Sequence, residues 1–432
     1  MFIANIFDWI LNNRNRFLIF VFIIALVVRV IFVCSLNKEK FYFSDARHYD
    51  AAAVRLIQGD GFDPAYSRAP FYPIFMAGVY KVFGHSFLAM RIIQAILGSI
   101  LCLLIFEIGS IGFGSRVGAI AALASIFFPH LILISGLLYP TLLFAFLIAI
   151  MMVLQLKTNI PFRLGNAILI GQFFGLSTLT EASMIFFIPF YILWLLAQFK
   201  TGFLKRLAFI GIMFSVTLLV MSPWIIRGFK IYGRLTLVRP LPHTALPNLE
   251  NPDETQSKIE SGWKETTDYR VEHPMGTNKD SVINMVLVYI KNPWGTIRHI
   301  LSELPHFWAL YPDRLDTKKD TYRESIHTRD QRMATKNFFV SGFIKYVSIM
   351  VMLPVFSLSL IGFLTQGLKN SKGWLMFLLV FSFSLGYSML YSEVRYRIPV
   401  EPYILIFASL GFIYLVNKFF VKQQVETSKG QG

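Results

Sequence analysis

An aspartate placed just beyond a long apolar run can do chemistry that neither feature does alone. Asp45 is such a residue, about ten positions past the apolar segment 17–35, within Phe43-Ser-Asp-Ala-Arg-His-Tyr-Asp50. A helix starting at Asp45 turns Tyr49, Ala52 and Ala53 toward the membrane, and a carboxylate held over that low dielectric can take a proton from a hydroxyl or an amine. Capping the same helix is the other role open to it, and Ser44-Asp45 suits that equally. His48 can assist a proton transfer or join Asp50 on a divalent metal, although two ligands of mixed type are no metal motif. Arg68, in Ser67-Arg-Ala-Pro-Phe-Tyr-Pro73, can grip a phosphate or fix the loop.

Arg395 and Arg397 flank Tyr396 in a short connection between two apolar segments. Forked guanidinium groups match phosphate oxygens two at a time, and neutralising a leaving phosphate is an electrostatic task suited to them. The alternative is an interfacial pair that touches ordinary lipid phosphates, or Glu393 and Glu401. His48, Tyr49, Asp50, Glu181 and Tyr396 complete the candidate set as substrate or auxiliary residues. His130, beside Pro129, reads as a packing histidine. His243, His273, His299 and His306 show no ligand spacing, and Trp263, Trp294 and Trp308 suit sugar stacking and interfacial anchoring alike.

The elements that must hold these residues are set by composition. Of 432 residues 55% are hydrophobic and 15% charged, with 43 phenylalanines, far from the charged fraction of a soluble domain. The apolar residues come in blocks, about ten of them long enough to span a bilayer: 17–35, 87–107, 117–135, 138–156, 165–180, 182–198, 207–226, 341–366, 374–391 and 398–417. The expected fold is an all-α polytopic membrane protein. Cys34 and Cys102 each lie inside an apolar block, which argues against a disulfide or a thiolate metal site.

The formal charge of +16 is mostly topological. With the N-terminus in the cytoplasm, the inner loops collect Arg14, Arg16, Arg116, Lys157, Arg163, Lys200, Lys205, Arg206, Lys369, Lys372, Lys418, Lys422 and Lys429, with only Asp8, Glu107 and Glu426 as acids. Both termini are then cytoplasmic in a plasma (inner) membrane, and segments 36–86 and 228–340 lie outside. Three parts result: 1–227, a transmembrane module with the loop 36–86; 228–340, an extracytoplasmic domain in which Val282–Ile290 and Trp294–Leu301 look amphipathic; and 341–432, the last helices with a short tail. No basic-aromatic pattern of a nucleic-acid module accompanies the charge. No glycine-rich nucleotide loop and no Gly-x-Ser-x-Gly elbow occurs, which disfavours a soluble nucleotide-sugar donor.

The first loop, read as D-x-x-x-Y, then A-x-x-L-x-x-G-x-G-F and R-x-P-F-Y-P, resembles the start of the bacterial GT-C glycosyltransferases, those related to protein O-mannosyltransferases and to the aminoarabinose transferase of lipid A. The likeness continues through Phe83-Gly84, Arg91-Ile-Ile-Gln94, Gly112-Phe-Gly-Ser-Arg116, Phe128-Pro129, Ser222-Pro-Trp-Ile-Ile-Arg227 and Arg395-Tyr-Arg-Ile-Pro399. It implies that Asp45 receives or orients the proton of the acceptor nucleophile while a sugar leaves a polyprenyl phosphate with inversion. Donor-phosphate contacts then fall to Arg395, Arg397 and Arg68. The implied acceptor is an envelope glycan, lipid or protein. Two departures stand out: Ala46 follows Asp45 where many relatives have Glu, and Tyr139-Pro-Thr141 replaces an acidic position, for which Glu181 is a spatial substitute or merely a solvated turn residue. The rival class is a lipid-linked-sugar flippase or other multi-pass transporter. Against it, the helix centres are nearly free of charge, where transporters place charges or breaks.

The charge asymmetry fixes a test. In a background lacking Cys34 and Cys102, a cysteine at Asn248 should react with an impermeant thiol reagent from outside, and one at Ser371 only from inside. The reverse pattern overturns the orientation.

Overall fold

A computed structural model describes residues 13–429 except 38–39, 43–44, 65, 159–163, 198–201, 233–236, 239–288 and 312–337. In chain order its helices are α1 (Arg14–Ser35), α2 (Asp45–Gln58), α3 (Phe71–Phe83), α4 (Phe87–Phe113), α5 (Ser115–Phe127), α6 (Pro129–Gly136), α7 (Thr141–Lys157), α8 (Leu164–Thr180), α9 (Phe187–Leu196), α10 (Phe203–Tyr232), α11 (Pro293–Phe307), α12 (Phe338–Thr365), α13 (Ser371–Leu390), α14 (Val394–Arg397) and α15 (Glu401–Lys429). Among the described residues the fold is all helical.

All ten expected segments are helical, and among the described residues six helices are long and apolar enough to cross a membrane unaided: α1, α4, α10, α12, α13 and the run from α14 into α15. The third segment is two helices, α5 and α6, bent by 53°. The remaining three are shorter. α7 and α8 have 17 residues each, a rise of about 25 Å against a hydrocarbon core of about 30 Å, and α9 has 10 after a tight turn at Ala182–Phe186.

The bend has a covalent cause. Pro129 carries no N–H, and its ring pushes Phe128 into an extended conformation at φ −68°, ψ 117°. The Ser125 carbonyl, four residues before Pro129, therefore has no helical donor. Arg29 supplies one: its guanidinium, fully buried, donates to Ser125 O at 3.2 Å and Ile126 O at 3.4 Å, and also to Ala25 O at 3.2 Å. Arg29 thus departs from the expectation of charge-free helix centres. It belongs to a stripe of Phe17, Val21, Ala25, Arg29 and Val33, spaced four apart, which α1 buries against α4 and α5. The opposite side of α1 exposes Ile19, Phe20, Ile23, Val27 and Ile31, the surface a bilayer covers.

α4, with 27 residues, packs against α1, α5 and α7, while α8 lies on α10, α9 on α13 and α12 on α15. The last pair meets backbone to backbone, since a Cβ on Gly411 would lie 2.0 Å from Leu358 O and one on Gly362 2.1 Å from Phe407 O. Most of the expected extracytoplasmic part, including Asn248, His243, His273, Trp263 and the bulk of Val282–Ile290, lies outside the described residues. Its Trp294–Leu301 portion is α11, started by Asn292, whose side chain accepts from Gly295 N at 2.9 Å. One side of α11 exposes Trp294, Ile297 and Leu301, and its end buries Phe307.

The α12–α15 contact predicts a stability difference. Gly411→Ala should destabilise by about 1–3 kcal/mol, the usual range for overpacking, whereas Gly211→Ala, facing open space, should be neutral or better. Equal thermal midpoints for the two purified variants would remove the close approach as a constraint.

Candidate active site

α2 begins at Asp45, and its buried residues are Ala46, Tyr49, Ala52 and Ala53, the spacing of a helix lying on an apolar floor. It stops at Gly59-Asp-Gly61, where both glycines have positive φ, 87° and 68°, a turn that a side chain would strain. Phe62 then packs edge-on against Trp224 of α10 with ring centroids 5.0 Å apart. Arg227 lies 4.5 Å over Trp224 and donates to Asp63 O at 2.6 Å. Two motifs far apart in sequence meet in this way and hold the loop that returns Arg68 to Asp45.

At the start of α2 both carboxylate oxygens of Asp45 are engaged. Arg68 Nη2 donates to Oδ1 at 2.9 Å, and the Tyr139 hydroxyl donates to Oδ2 at 3.2 Å. Arg395 continues the chain, donating from Nη1 to Tyr139 Oη at 3.5 Å and from Nη2 to Tyr396 Oη at 2.9 Å, with Nε 2.8 Å from Glu393. Tyr396 is stacked on Tyr387 at 4.3 Å. Beside them is a small cavity with room for about one water molecule, lined by Tyr139, Thr141, Phe144, Glu181, Tyr387, Arg395, Tyr396 and Pro399. Glu181, a turn residue in sequence, therefore shares a cavity with Arg395 and Tyr139.

Burial pushes the Asp45 carboxyl up, but the guanidiniums of Arg68 and Arg395, with hydrogen bonds from Tyr139 and Arg68, outweigh it and hold the group below its ordinary 3.8. His48 stands one turn along α2. Partial desolvation of its ring and then the nearby Arg68 charge keep it below its ordinary 6.5, against an opposing pull from Asp45. Tyr49 is buried beneath, with Arg68 5.6 Å over its ring and its edge to Tyr139.

Two candidates lie elsewhere. Asp50 accepts from the Tyr80 hydroxyl at 2.7 Å and meets His85 Nε2 at 2.8 Å, tying α2 to the turn between α3 and α4. A His48–Asp50 metal pair is not formed, because residues two apart on a helix point about 200° away from each other. Among the described residues no group of three or more His, Cys, Asp or Glu gathers. Arg397, expected beside Arg395, is turned inward by the same geometry on α14. It is fully buried, donates from Nε to Glu401 Oε1 at 3.0 Å, and from Nη1 to Phe307 O at 2.6 Å and Ala309 O at 2.9 Å. Glu401 also meets His130 Nδ1 at 2.8 Å, so Arg397 ties the end of α11 to the start of α15, with its Nη2 buried and unpaired.

The sequence reading named Tyr139 only as a departure, yet its hydroxyl bridges Asp45 and Arg395. The signal for it was Tyr139-Pro140 between two apolar runs, a polar tip at a helix start. The Arg91-Ile-Ile-Gln94 motif also gains a role: Arg91 donates to Asn37 O at 2.7 Å and Lys40 O at 2.8 Å, and Gln94 donates to Leu137 O at 2.7 Å and Ser135 O at 3.1 Å. One helix face of α4 thus holds both the strand of chain leading to Asp45 and the one leading to Tyr139.

Solved structures share this arrangement of helices. An oligosaccharyltransferase from Archaeoglobus fulgidus in the apo form aligns with a TM-score of 0.56 at 11% identity, over 96% of this chain and 52% of that one. The AglB oligosaccharyltransferase of the same organism, in complex with an inhibitory peptide and a dolichol-phosphate, gives 0.58 at 13%, over 97% and 52%. ArnT from Cupriavidus metallidurans bound to undecaprenyl phosphate gives 0.56 at 14%, over 95% and 62%. The chain has the GT-C fold. It spans about half the length of the oligosaccharyltransferases. Residues 67–226 match the sequence family described as dolichyl-phosphate-mannose-protein mannosyltransferase. That stretch includes Arg68, Tyr139 and Glu181 of the cluster described above, and neither Asp45 nor Arg395. No curated protein matches the chain at a significant level by sequence.

Because its folded-state pKa is lowered, Asp45 contributes stability that is complete above 3.8 and lost as pH falls through the lower folded value. Arg68→Gln removes the strongest lowering influence and leaves the burial, so the carboxyl should titrate at higher pH. The difference in carboxylate infrared absorption between each protein and its Asp45→Asn counterpart reads this directly. An unshifted titration would show that Arg68 does not set the charge of Asp45.

Proposed function

We propose that this chain is a polyprenyl-phosphate-sugar-dependent glycosyltransferase that moves a sugar, with inversion, to an envelope glycan, lipid or protein acceptor at the outer face of the membrane. In this reading both termini are cytoplasmic and the Asp45 loop is extracytoplasmic. The observation that carries it is an ionised carboxylate set among guanidiniums at one end of a GT-C bundle. The AglB and ArnT structures, with dolichol-phosphate and undecaprenyl phosphate bound, support the lipid-phosphate class of donor.

The chemistry follows from the geometry. The acceptor hydroxyl or amine replaces Tyr139 or Arg68 as donor to Asp45, which orients its lone pair toward the sugar's anomeric carbon. The new bond to that carbon forms as the bond to phosphate oxygen breaks from the opposite side, which inverts the centre. A carboxyl held below 3.8 is a weak base toward a neutral hydroxyl, so proton transfer follows as bond formation acidifies the acceptor atom. Negative charge gathers on the departing polyprenyl phosphate, where Arg395 and an Arg68 released from Asp45 neutralise it. Arg397 takes no part in this clamp.

The test is release of polyprenyl phosphate from a lipid-linked sugar, identified first as the lipid that co-purifies with the protein. Asp45→Asn should stay folded and lower turnover by about 10²–10⁴-fold, the range for a positioned acid-base group. Arg395→Lys keeps charge but loses the fork, so kcat should fall along with a rise in KM. Arg397→Lys should instead lower the thermal midpoint. Near-normal turnover of Asp45→Asn overturns the assignment, and lipid translocation without any transfer would favour the flippase reading.

A further inference from the structure

A second cavity lies away from Asp45. α4 leaves the Asp45 end and runs for 27 residues, about 40 Å. Where it finishes, a partly open groove of about 1240 Å³ lies between the α4–α5 turn, the α12–α13 turn and α15. Three cations line it, Arg116, Lys369 and Lys418, together with the carboxamide of Asn417 and an apolar floor that includes Phe113 and Ile413. No Asp or Glu is among its lining residues. Its wall is built rather than collapsed: Asn370 Nδ2 donates to Gly112 O at 2.6 Å and Lys372 Nζ to Ile111 O at 3.1 Å, so the α12–α13 turn is stapled to the end of α4.

Lys369 and Lys418 beside an apolar recess suit an anion that brings its own apolar part. A soluble anion satisfies the rim and leaves the floor wet, and a zwitterionic lipid brings a second cation to a site already holding three. From this pairing of charge and floor we infer that the groove holds an anionic glycerophospholipid, its phosphate against Lys369, Lys418 and Arg116 and its chains along Ile413 and Phe113. Such a lipid bridges α4, α12 and α15 and stabilises the bundle by mass action, binding the folded state alone. The inference stands apart from the transferase reading, because it concerns the other end of the molecule and needs no turnover.

The full-length protein in detergent is titrated with phosphatidylglycerol, phosphatidylcholine and inorganic phosphate, with bound mass read by native mass spectrometry and stability by thermal midpoint. Phosphatidylglycerol should bind one to one and raise the midpoint, while the other two should not. The double variant Lys369→Gln, Lys418→Gln should weaken that binding by about tenfold or more. Lys205→Gln, an exposed cation outside the groove, should leave it unchanged. Ile413→Trp fills the floor and keeps every charge, so it should also weaken binding, and it carries the test should the double variant fail to fold. Equal binding of phosphatidylcholine would reduce the groove to a generic lipid contact, and displacement by inorganic phosphate would make it a soluble-anion site. Unchanged binding in the double variant or in Ile413→Trp would likewise overturn the inference.

Discussion

Inside a bilayer there is no water to satisfy a stray carbonyl, and much of this architecture follows from one place where the chain creates such a carbonyl. Pro129 breaks the third span, and Arg29 of α1 catches the Ser125 and Ile126 carbonyls that the break leaves behind. The bend thereby tolerated sends α6 off at 53° to α5. That change of direction carries His130 to Glu401, the Ser135 and Leu137 carbonyls to Gln94, and Tyr139 to Asp45. A straight helix through Phe128 would take all of these elsewhere. Gly98 shows how closely the device is fitted, since a Cβ there would lie 2.8 Å from Arg29 Nε.

Arg395 and Arg397 show how a four-residue turn divides labour. Their types and spacing are symmetric about Tyr396, but a helical turn sends their side chains to opposite sides. One joins Tyr139 and Glu393 beside the small cavity. The other donates to Glu401 and two backbone carbonyls from Nε and Nη1. A buried carboxylate shared by Arg397 and His130 is satisfied from two directions, which is the condition under which a buried charge is tolerable.

Periodicity and apolar runs made the helical elements legible, because lipid and core impose a pattern that the backbone repeats locally. The start of α2 at Asp45 and its buried stripe of Tyr49, Ala52 and Ala53 were readable for that reason. Whether a run spans was less so: α7 and α8 look like full spans by composition, and their boundaries are set by packing and by the turns at Pro140 and Glu181. Tyr139 could not be assigned to the cluster from sequence, since its contact with Asp45 joins residues 94 positions apart. Asp50 and Arg397 lie about 200° around their helices from His48 and Arg395, a phase that residue type does not reveal.

The 17 described residues of α7 and of α8 rise about 25 Å, at the short end of what a hydrocarbon layer about 30 Å thick requires. Thr141 and Glu181, which line the small cavity, stand at the first residue of α7 and just past the last of α8. The recess they line has room for about one water molecule. Under the proposed transfer, such scarcity of water would favour delivery to an acceptor over loss by hydrolysis.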